Sequence, residues 1–374
     1  MKIKFFSIII VLAFCACNKK STIPSDVITP KGFNVAAEFP PNVFARNIIG
    51  LVSSPEGVLY ICANVDENGI EKGRFFRLAS GSKMWQQLGT QEMLGDYINN
   101  TVLDNAGNFY YAGDKVYKYS ASGWSTFISP TNYGAGGTGG IEMAVSPIGE
   151  VYANMLNGAP PYNHSFLKFN GATWTLLGFP PTDPNKVGAF YPREMRCDNN
   201  GILYVGTYSK KSQNYIYKYD GDTSWSRLGS ADYQLLTGAG IEIDHQNNIY
   251  IVGYKASMPN DSAHGDFIAK WDGTTWSEIP FPTGLVNNPD NKYIYTLTTD
   301  KNGNLYAAGT LMNNNGKYFI AKWNGTTWSE LGAPNPVYLN NWIDLIDCDD
   351  QGVIYAAGTF TDSAGHAFVV KYVQ

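Results

Sequence analysis

Seven charged residues precede, by eight to eleven positions, tyrosines that recur along the chain: Glu142, Arg193, Glu194, Arg196, Glu242, Asp344 and Asp347. Carboxylates that lie close together could bind a cation or act as general acid and base, because their mutual repulsion shifts their pKa values. The alternative, which we favour, is that the two arginines form ion pairs with Glu142 or Glu242. We therefore assign no catalytic residue, no metal site and no cofactor.

Aromatic residues lie in long polar connections between apolar segments: Tyr97, Tyr133, Tyr162, Phe190, Tyr191, Tyr233, Tyr293, Tyr338 and Trp342. Rings stack on the apolar faces of sugars, and nearby amides and carboxylates can bind hydroxyls. The alternative is that several rings only hold their own loops in place. Tyr191 and Trp342 are the leading candidates. The predicted ligand-binding set is Tyr97, Tyr133, Tyr191, Arg193, Glu194, Glu142, Glu242, Tyr293, Tyr338, Trp342 and Asp344.

An internal repeat must position these residues. A serine or aspartate is followed six positions later by a tyrosine in seven pairs: Ser54/Tyr60, Asp104/Tyr110, Ser146/Tyr152, Asp198/Tyr204, Asp244/Tyr250, Asp300/Tyr306 and Asp349/Tyr355. The tyrosines are 42 to 56 residues apart. A period of this size indicates one supersecondary unit per repeat, which buries its apolar faces only against its neighbours.

Each repeat predicts four short strands. In the sixth repeat the predicted strands are residues 294–299, 305–309, 319–323 and 327–331, which are rich in β-branched and aromatic residues. Asn-Gly and Asp-Gly pairs before the fourth strand, such as Asp272-Gly273, favour type I′ hairpin turns. Seven such units predict an all-β fold, a seven-bladed β-propeller of four-stranded antiparallel blades.

Closure of the ring explains an irregularity at the two ends of the repeat region. The last repeat stops after its third predicted strand, at residues 368–372, whereas the first is preceded by an unassigned apolar segment, residues 33–39. We predict that this N-terminal segment supplies the missing outer strand, which leaves no half-built blade with exposed sheet edges. The tryptophan that usually begins a fourth strand is expected to pack between blades.

Loop lengths indicate where a ligand would bind. The turns after the first and third strands are short, whereas the connections after the second and fourth strands are long and irregular. Because alternate strands run in opposite directions, the long connections share one end of the ring, which we call the long-loop face; the short turns share the tight-turn face. Long loops on a rigid scaffold are the usual place for binding.

Two phrases, Trp271-Asp272-Gly273-Thr274-Thr275-Trp276-Ser277 and Leu305-Tyr306-Ala307-Ala308-Gly309-Thr310, resemble repeats of bacterial proteins related to the galactose-oxidase and kelch-like propellers. The resemblance covers nearly the whole chain after Phe33 and implies a propeller fold. It implies no single function, because such propellers serve enzymes, lectins and scaffolds. The tyrosine, histidine and cysteine–tyrosine crosslink of the copper-oxidase members cannot be placed here, and the paired glycines of kelch repeats are only partly present.

The N-terminus resembles a bacterial lipoprotein signal. Lys2 and Lys4 precede a short apolar run that ends in Cys15-Ala16-Cys17, too short for a membrane-spanning helix. This pattern predicts a signal peptide over residues 1–16, a lipid on Cys17 and a flexible tether over residues 17–32, ahead of a propeller over residues 33–374. Phe14 and Cys15 differ from the small and aliphatic residues that usually precede the lipid-bearing cysteine, so ordinary secretion is the alternative. The expected location is the cell envelope, anchored to a bacterial membrane, with the outer membrane as our choice.

Composition restricts the partners. The formal net charge is −5, and loss of Lys2 and Lys4 with the signal would make it −7, which argues against nucleic-acid binding. We expect a monomer that binds a glycan or a protein on the long-loop face without catalysis. The alternatives are a glycan hydrolase or lyase that uses the acidic cluster, and a scaffold of an envelope protein complex.

Overall fold

The computed structural model describes residues 32–89, 100–112, 116–127, 142–156, 164–180, 191–208, 216–229, 239–254, 266–286, 293–332 and 339–373. In these ranges the strands form seven four-stranded antiparallel sheets, so the predicted all-β, seven-bladed propeller is confirmed. No helix in the described part of the chain is long and apolar enough to cross a membrane. The predicted signal peptide and Cys17 lie outside the described residues, as does the predicted tether except for Gly32.

The first strand of the structure is β1 (Gly32–Val35). Blades 1 to 3 follow as β2 (Val43–Ser53), β3 (Leu59–Glu67), β4 (Ile70–Leu78) and β5 (Gln86–Gln87); β6 (Asn100–Leu103), β7 (Phe109–Ala112), β8 (Val116–Ser120) and β9 (Gly123–Phe127); β10 (Glu142–Val145), β11 (Val151–Leu156), β12 (His164–Phe169) and β13 (Trp174–Leu176).

Blades 4 to 6 contain β14 (Tyr191–Cys197), β15 (Leu203–Tyr208), β16 (Ile216–Gly221) and β17 (Ser224–Arg227); β18 (Ala239–Ile243), β19 (Ile249–Tyr254), β20 (Asp266–Trp271) and β21 (Trp276–Ile279); β22 (Ile294–Thr299), β23 (Leu305–Gly309), β24 (Ala321–Trp323) and β25 (Trp328–Glu330). Blade 7 has only three strands of its own, β26 (Ile343–Cys348), β27 (Ile354–Gly358) and β28 (Val370–Val373). The first strand of each blade lies innermost.

A buried aspartate explains the repeated aspartate–tyrosine spacing. In blade 6, Asp300 Oδ1 accepts hydrogen bonds from the backbone N–H groups of Asn302 and Asn304 at 2.9 and 3.0 Å. Its Oδ2 accepts the hydroxyl of the buried Tyr306 at 3.0 Å. One carboxylate therefore organises the first turn and satisfies a tyrosine hydroxyl that burial would otherwise leave unpaired. The same bonds recur around Asp104, Asp198, Asp244 and Asp349.

The hairpin between the third and fourth strands differs from the prediction. A type I′ turn needs positive φ at both central residues, but only the glycine of each pair has it, with 98° at Gly273 and 96° at Gly325. The preceding side chain organises the turn instead, because Asp272 Oδ1 accepts the N–H groups of Thr274 and Thr275. At Asp272-Gly273 and Asn324-Gly325 the type I′ prediction is wrong, and these are turns capped by an Asn or Asp side chain. In blade 4 the two residues between the paired Gly221 and Ser224 both have positive φ, 47° at Asp222 and 68° at Thr223, so the positive angles follow the Asp220-Gly221 pair.

The tryptophans join neighbouring blades, as predicted. The indole N–H of Trp225 donates to Leu177 O of the preceding blade at 3.0 Å, and that of Trp276 donates to Leu228 O at 3.1 Å. Trp124 and Trp328 make equivalent bonds to Leu88 and Pro280. These contacts fix the spacing between blades at their outer strands.

The N-terminal strand closes the ring. Gly32 to Val35 of β1 pair antiparallel with Val373 to Val370 of β28, so β1 is the fourth strand of blade 7. The predicted closing segment, residues 33–39, is longer than this strand. Beyond Val35 it crosses to blade 1, where Glu38 accepts a hydrogen bond from Trp85 N–H at 2.9 Å.

The closing strand can be tested with one buried and one exposed residue. Phe33 is 5% exposed and its ring centroid lies 4.9 Å from that of Tyr372, whereas Val35 on the same strand is 42% exposed. We expect Phe33→Ala to lower the free energy of unfolding by about 3–5 kcal/mol, because it removes a buried ring from the seam. Val35→Ala should change it by less than about 0.5 kcal/mol. Urea unfolding measures both, and equal effects would contradict closure by β1.

Candidate functional site

The structure places the predicted ligand-binding residues unequally. Tyr97, Tyr133 and Tyr338 lie outside the described residues. The others belong to the innermost strands or to the residues just before them: Glu142, Tyr191, Arg193, Glu194, Glu242, Tyr293, Trp342 and Asp344. Inner strands begin at the long-loop face, so this second group lies near that end of the channel, except for Glu242, which lies one residue before the end of β18. Tyr191 and Arg193 lie on β14, whose backbone pairs with β15.

β-Bulges shape the entrance of the central channel. The register of an inner strand skips a residue near the channel in five blades, at Ile49, Arg193, Gly240, Tyr295 and Asp344, and β2 has a second skip nearer its start, at Arg46. A bulge bends its strand and redirects the extra residue. Four of the five residues stand five positions before the aspartate or serine of their repeat. The channel entrance is therefore built from corresponding positions of different blades.

Three aromatic residues, which we call the mouth aromatics, cluster at this entrance: Tyr293, Tyr295 and Trp342. The rings of Tyr293 and Tyr295 are parallel with centroids 6.4 Å apart, and Trp342 meets Tyr295 edge-on at 6.3 Å. Tyr295 is 38% exposed and Trp342 is 44% exposed. The sequence prediction missed Tyr295 because it lies within a strand, although it occupies the same repeat position as Asp344.

The acidic residues of the channel bind the backbone of the next blade. Glu194 Oε2 accepts the N–H of Ile241 at 2.7 Å, and Glu242 Oε1 accepts the N–H and the hydroxyl of Thr299, both at 3.0 Å. Asp347 likewise accepts the N–H of Ser53 at 2.5 Å, across the junction of blades 7 and 1. Inner strands have no partner strand on the channel side, so these carboxylates satisfy amides that the sheets leave unpaired.

The ion pairing of Arg196 differs from the prediction, whereas the side chain of Arg193 lies outside the described part of the chain. Arg196 pairs at 2.7 Å with Glu194 of its own strand, and not with Glu142 or Glu242 of a neighbouring blade. Its charge still acts on Glu242 through the channel. Glu142 is half-buried on β10. Within the described residues no three histidine, cysteine, aspartate or glutamate side chains are grouped so that they could hold a metal ion.

Burial shifts the pKa values of three channel carboxyls. Desolvation raises the pKa of Glu242 to about 8, although the Arg196 charge and the bonds from Thr299 oppose the shift. Desolvation also raises the pKa of Asp347 to about 6 and raises that of Asp344. The cavity that these groups line has a volume of about 570 Å³, and the apolar Leu51 and Val102 line it as well. Glu242 is therefore largely protonated at neutral pH.

A second cavity lies on the long-loop face, and we call it the seam groove. It has a volume of about 740 Å³ and lies between the residues that cross from blade 7 to blade 1 and the loop that joins β27 to β28. Phe44, which is 45% exposed, stacks on His366 at 4.6 Å across the seam. Phe39 and Phe368 line the groove as well. None of these four residues belongs to the predicted set, because they meet only when the ring closes.

Comparison with known proteins shows the fold. No protein-family model matches the chain, and no curated protein matches it. The GH74 xyloglucanase from Xanthomonas campestris matches with a TM-score of 0.59 at 16% identity, over 91% of this chain and 55% of the xyloglucanase. Polysaccharide lyase Uly1 matches with a TM-score of 0.54 at 10% identity, over 93% of each chain.

The β-propeller domain of the Trilobed protease from Pyrococcus furiosus matches with a TM-score of 0.53 at 10% identity, over 88% of this chain and 94% of that domain. All three identities are too low to show more than a common propeller architecture. The chain spans only about half the length of the xyloglucanase.

The buried carboxyls make stability depend on pH. The folded state raises the pKa of Glu242 from 4.5 to about 8, so the folded protein holds a proton that the unfolded chain releases. The contribution of Glu242 to the free energy of unfolding is therefore greatest below pH 4.5. It falls as the pH rises towards 8, by at most about 1.4 kcal/mol per pH unit. Asp347 acts in the same direction at lower pH.

We expect Glu242→Gln to reduce the difference between the urea midpoints at about pH 5 and about pH 8, because glutamine keeps the acceptor for Thr299 without a titrating proton. Glu56→Gln, at an exposed glutamate of the first turn of blade 1, is the control and should retain the difference. An undiminished difference in Glu242→Gln would show that this carboxyl does not titrate abnormally.

Proposed function

We propose that the protein is a glycan-binding module that uses the channel entrance on its long-loop face. The observation that carries this proposal is the exposed group of mouth aromatics beside Asp344. Exposed rings offer flat apolar surfaces to sugar rings, and the carboxylate accepts hydrogen bonds from hydroxyls. Tyr295 sits on β22, Tyr293 and Trp342 directly precede β22 and β26, and all three adjoin β-bulges, so the surface is held in place before a ligand arrives.

The acidic residues support binding over catalysis. A hydrolase needs one carboxyl to donate a proton and another to act as base or nucleophile at the sugar. Here Glu194, Glu242 and Asp347 each accept a backbone N–H of the next blade, which fixes their positions and occupies one oxygen of each. We therefore expect a bound glycan to be retained and released unchanged.

The site would be presented at the cell envelope through a lipid on Cys17, after a signal peptide over residues 1–16. β1 begins at Gly32 on the tight-turn face, because it pairs with the end of β28. The described chain therefore enters the propeller at Gly32, on the face opposite the mouth aromatics. The fold also supports the proposed kinship with galactose-oxidase and kelch-like propellers at the level of architecture.

Binding is tested by a glycan array and soluble polysaccharides, with Trp342→Ala as the variant. Loss of the exposed ring should weaken binding by about tenfold or more, equivalent to about 1.4 kcal/mol. The control is Ile148→Ala, because Ile148 is 83% exposed in a first turn on the tight-turn face. Cleavage of a glycan would favour the hydrolase or lyase, and capture of an envelope protein without glycan affinity would favour the scaffold.

Anchoring is tested by metabolic labelling with palmitate in a bacterial host. Wild-type protein should carry the label and fractionate with membranes, and Cys17→Ser should lose the label because serine offers no thiol for the lipid. Cys62→Ser is the control, since Cys62 is buried in β3. Unlabelled wild-type protein in the soluble envelope fraction would indicate ordinary secretion.

A further inference from the structure

A short stretch of chain leads from the seam groove to the channel entrance. Asn340 lines the seam groove, and its side chain bonds both backbone groups of Thr361, at 2.9 Å to the oxygen and 3.2 Å from the N–H. Two residues further on, Trp342 O accepts the N–H of Thr359 at 3.0 Å. The short stretch from Asn340 to Trp342 is thus bonded to the loop that joins β27 to β28, and it leads from the seam groove to the mouth aromatics.

Acidic side chains outnumber basic ones among the described residues that line this path. Among the described residues that line the seam groove, Glu38 and Asp362 are acidic, and none is a lysine or an arginine. At the channel Arg196 is the one cationic residue of the described lining, and Glu194 neutralises it at 2.7 Å. Asp344 adds a further carboxylate beside Trp342. A polyanion laid along the described part of this path would meet these carboxylates, and the one arginine there is already paired with Glu194.

The apolar surfaces of the path suit sugar rings. Phe44 exposes its ring at one end and Trp342 at the other. The seam groove has a volume of about 740 Å³, within the range of roughly 300–1,000 Å³ that is typical of ligand sites. The channel entrance adds further space, so the combined surface is larger than one or two sugars need.

We propose that the ligand is a linear, uncharged polysaccharide that lies across the seam groove and the channel entrance at the same time. This inference rests on the proposed glycan-binding function and narrows it in two respects. The ligand is neutral, since uronate or sulfate groups would be repelled. It is a polymer, since its full affinity requires Phe44 and the mouth aromatics together.

The first test compares soluble polymers by affinity electrophoresis of the full chain. The neutral probes are hydroxyethylcellulose, galactomannan and arabinoxylan, and the anionic probes are polygalacturonate and alginate. We expect at least one neutral probe to retard the protein and the anionic probes to have no effect. Stronger binding to an anionic probe would overturn the inference, yet it would leave the glycan-binding function standing.

The second test uses oligosaccharides of increasing length made from the neutral probe that binds, measured by calorimetry. Phe44→Ala should weaken binding of the long oligosaccharides by about tenfold and leave the shortest bound oligosaccharide unaffected, whereas Trp342→Ala should weaken all lengths. If Phe44→Ala does not fold, Phe44→Leu takes its place in this test, because leucine keeps the packing but removes the ring. Ile148→Ala is the control.

The outcomes separate the two proposals. If Phe44 variants bind every length as the wild type does, or if affinity does not grow with length, the groove takes no part and the inference fails while the channel entrance remains a glycan site. If no polymer binds, and a protein is the only ligand found, both proposals fail.

Discussion

A blade of four short strands has two apolar faces and can bury neither of them alone. Every blade of this protein therefore depends on the two beside it, and the ring as a whole depends on being closed. One core cluster joins Tyr306 and Leu331 of blade 6 to Ile346 and Val370 of blade 7 and to Phe33 of β1. Fold and candidate site both follow from that closure, since the seam groove exists only where β1 leads into blade 1.

Polar groups fix how neighbouring blades meet, both near the central axis and near the outer rim of the ring. Near the axis, Glu194, Glu242 and Asp347 bond amides of the following inner strand. Towards the rim, tryptophans such as Trp225 bond carbonyls of the preceding blade. Apolar packing alone is non-directional, whereas these bonds fix the register of one blade against the next. The cost is that carboxyls such as Glu242 are buried and resist ionisation.

The architecture could be read from the sequence because it is repeated. The aspartate–tyrosine pairs, confirmed around Asp300 and its equivalents, located every first turn, and the missing last strand indicated closure. The site was harder to predict, because bulges and contacts between blades depend on three-dimensional placement. Tyr295 looked like an ordinary strand residue, and the pairing of Arg196 with its own strand depends on how the channel positions the side chains. Phe44 and His366 stand more than three hundred residues apart in sequence and meet only in the closed ring.

The direction of β1 also governs how the ring responds to mechanical load. β1 runs from the tight-turn face to the long-loop face, and its bonds to β28 lie perpendicular to it. A pull on Gly32 opposed by a ligand on the long-loop face would act along the strand. The force would then load all four residue pairs between β1 and β28 at once, in shear, and would not break them one after another. A propeller held in this way should resist drag on a long ligand better than one held through an outer loop.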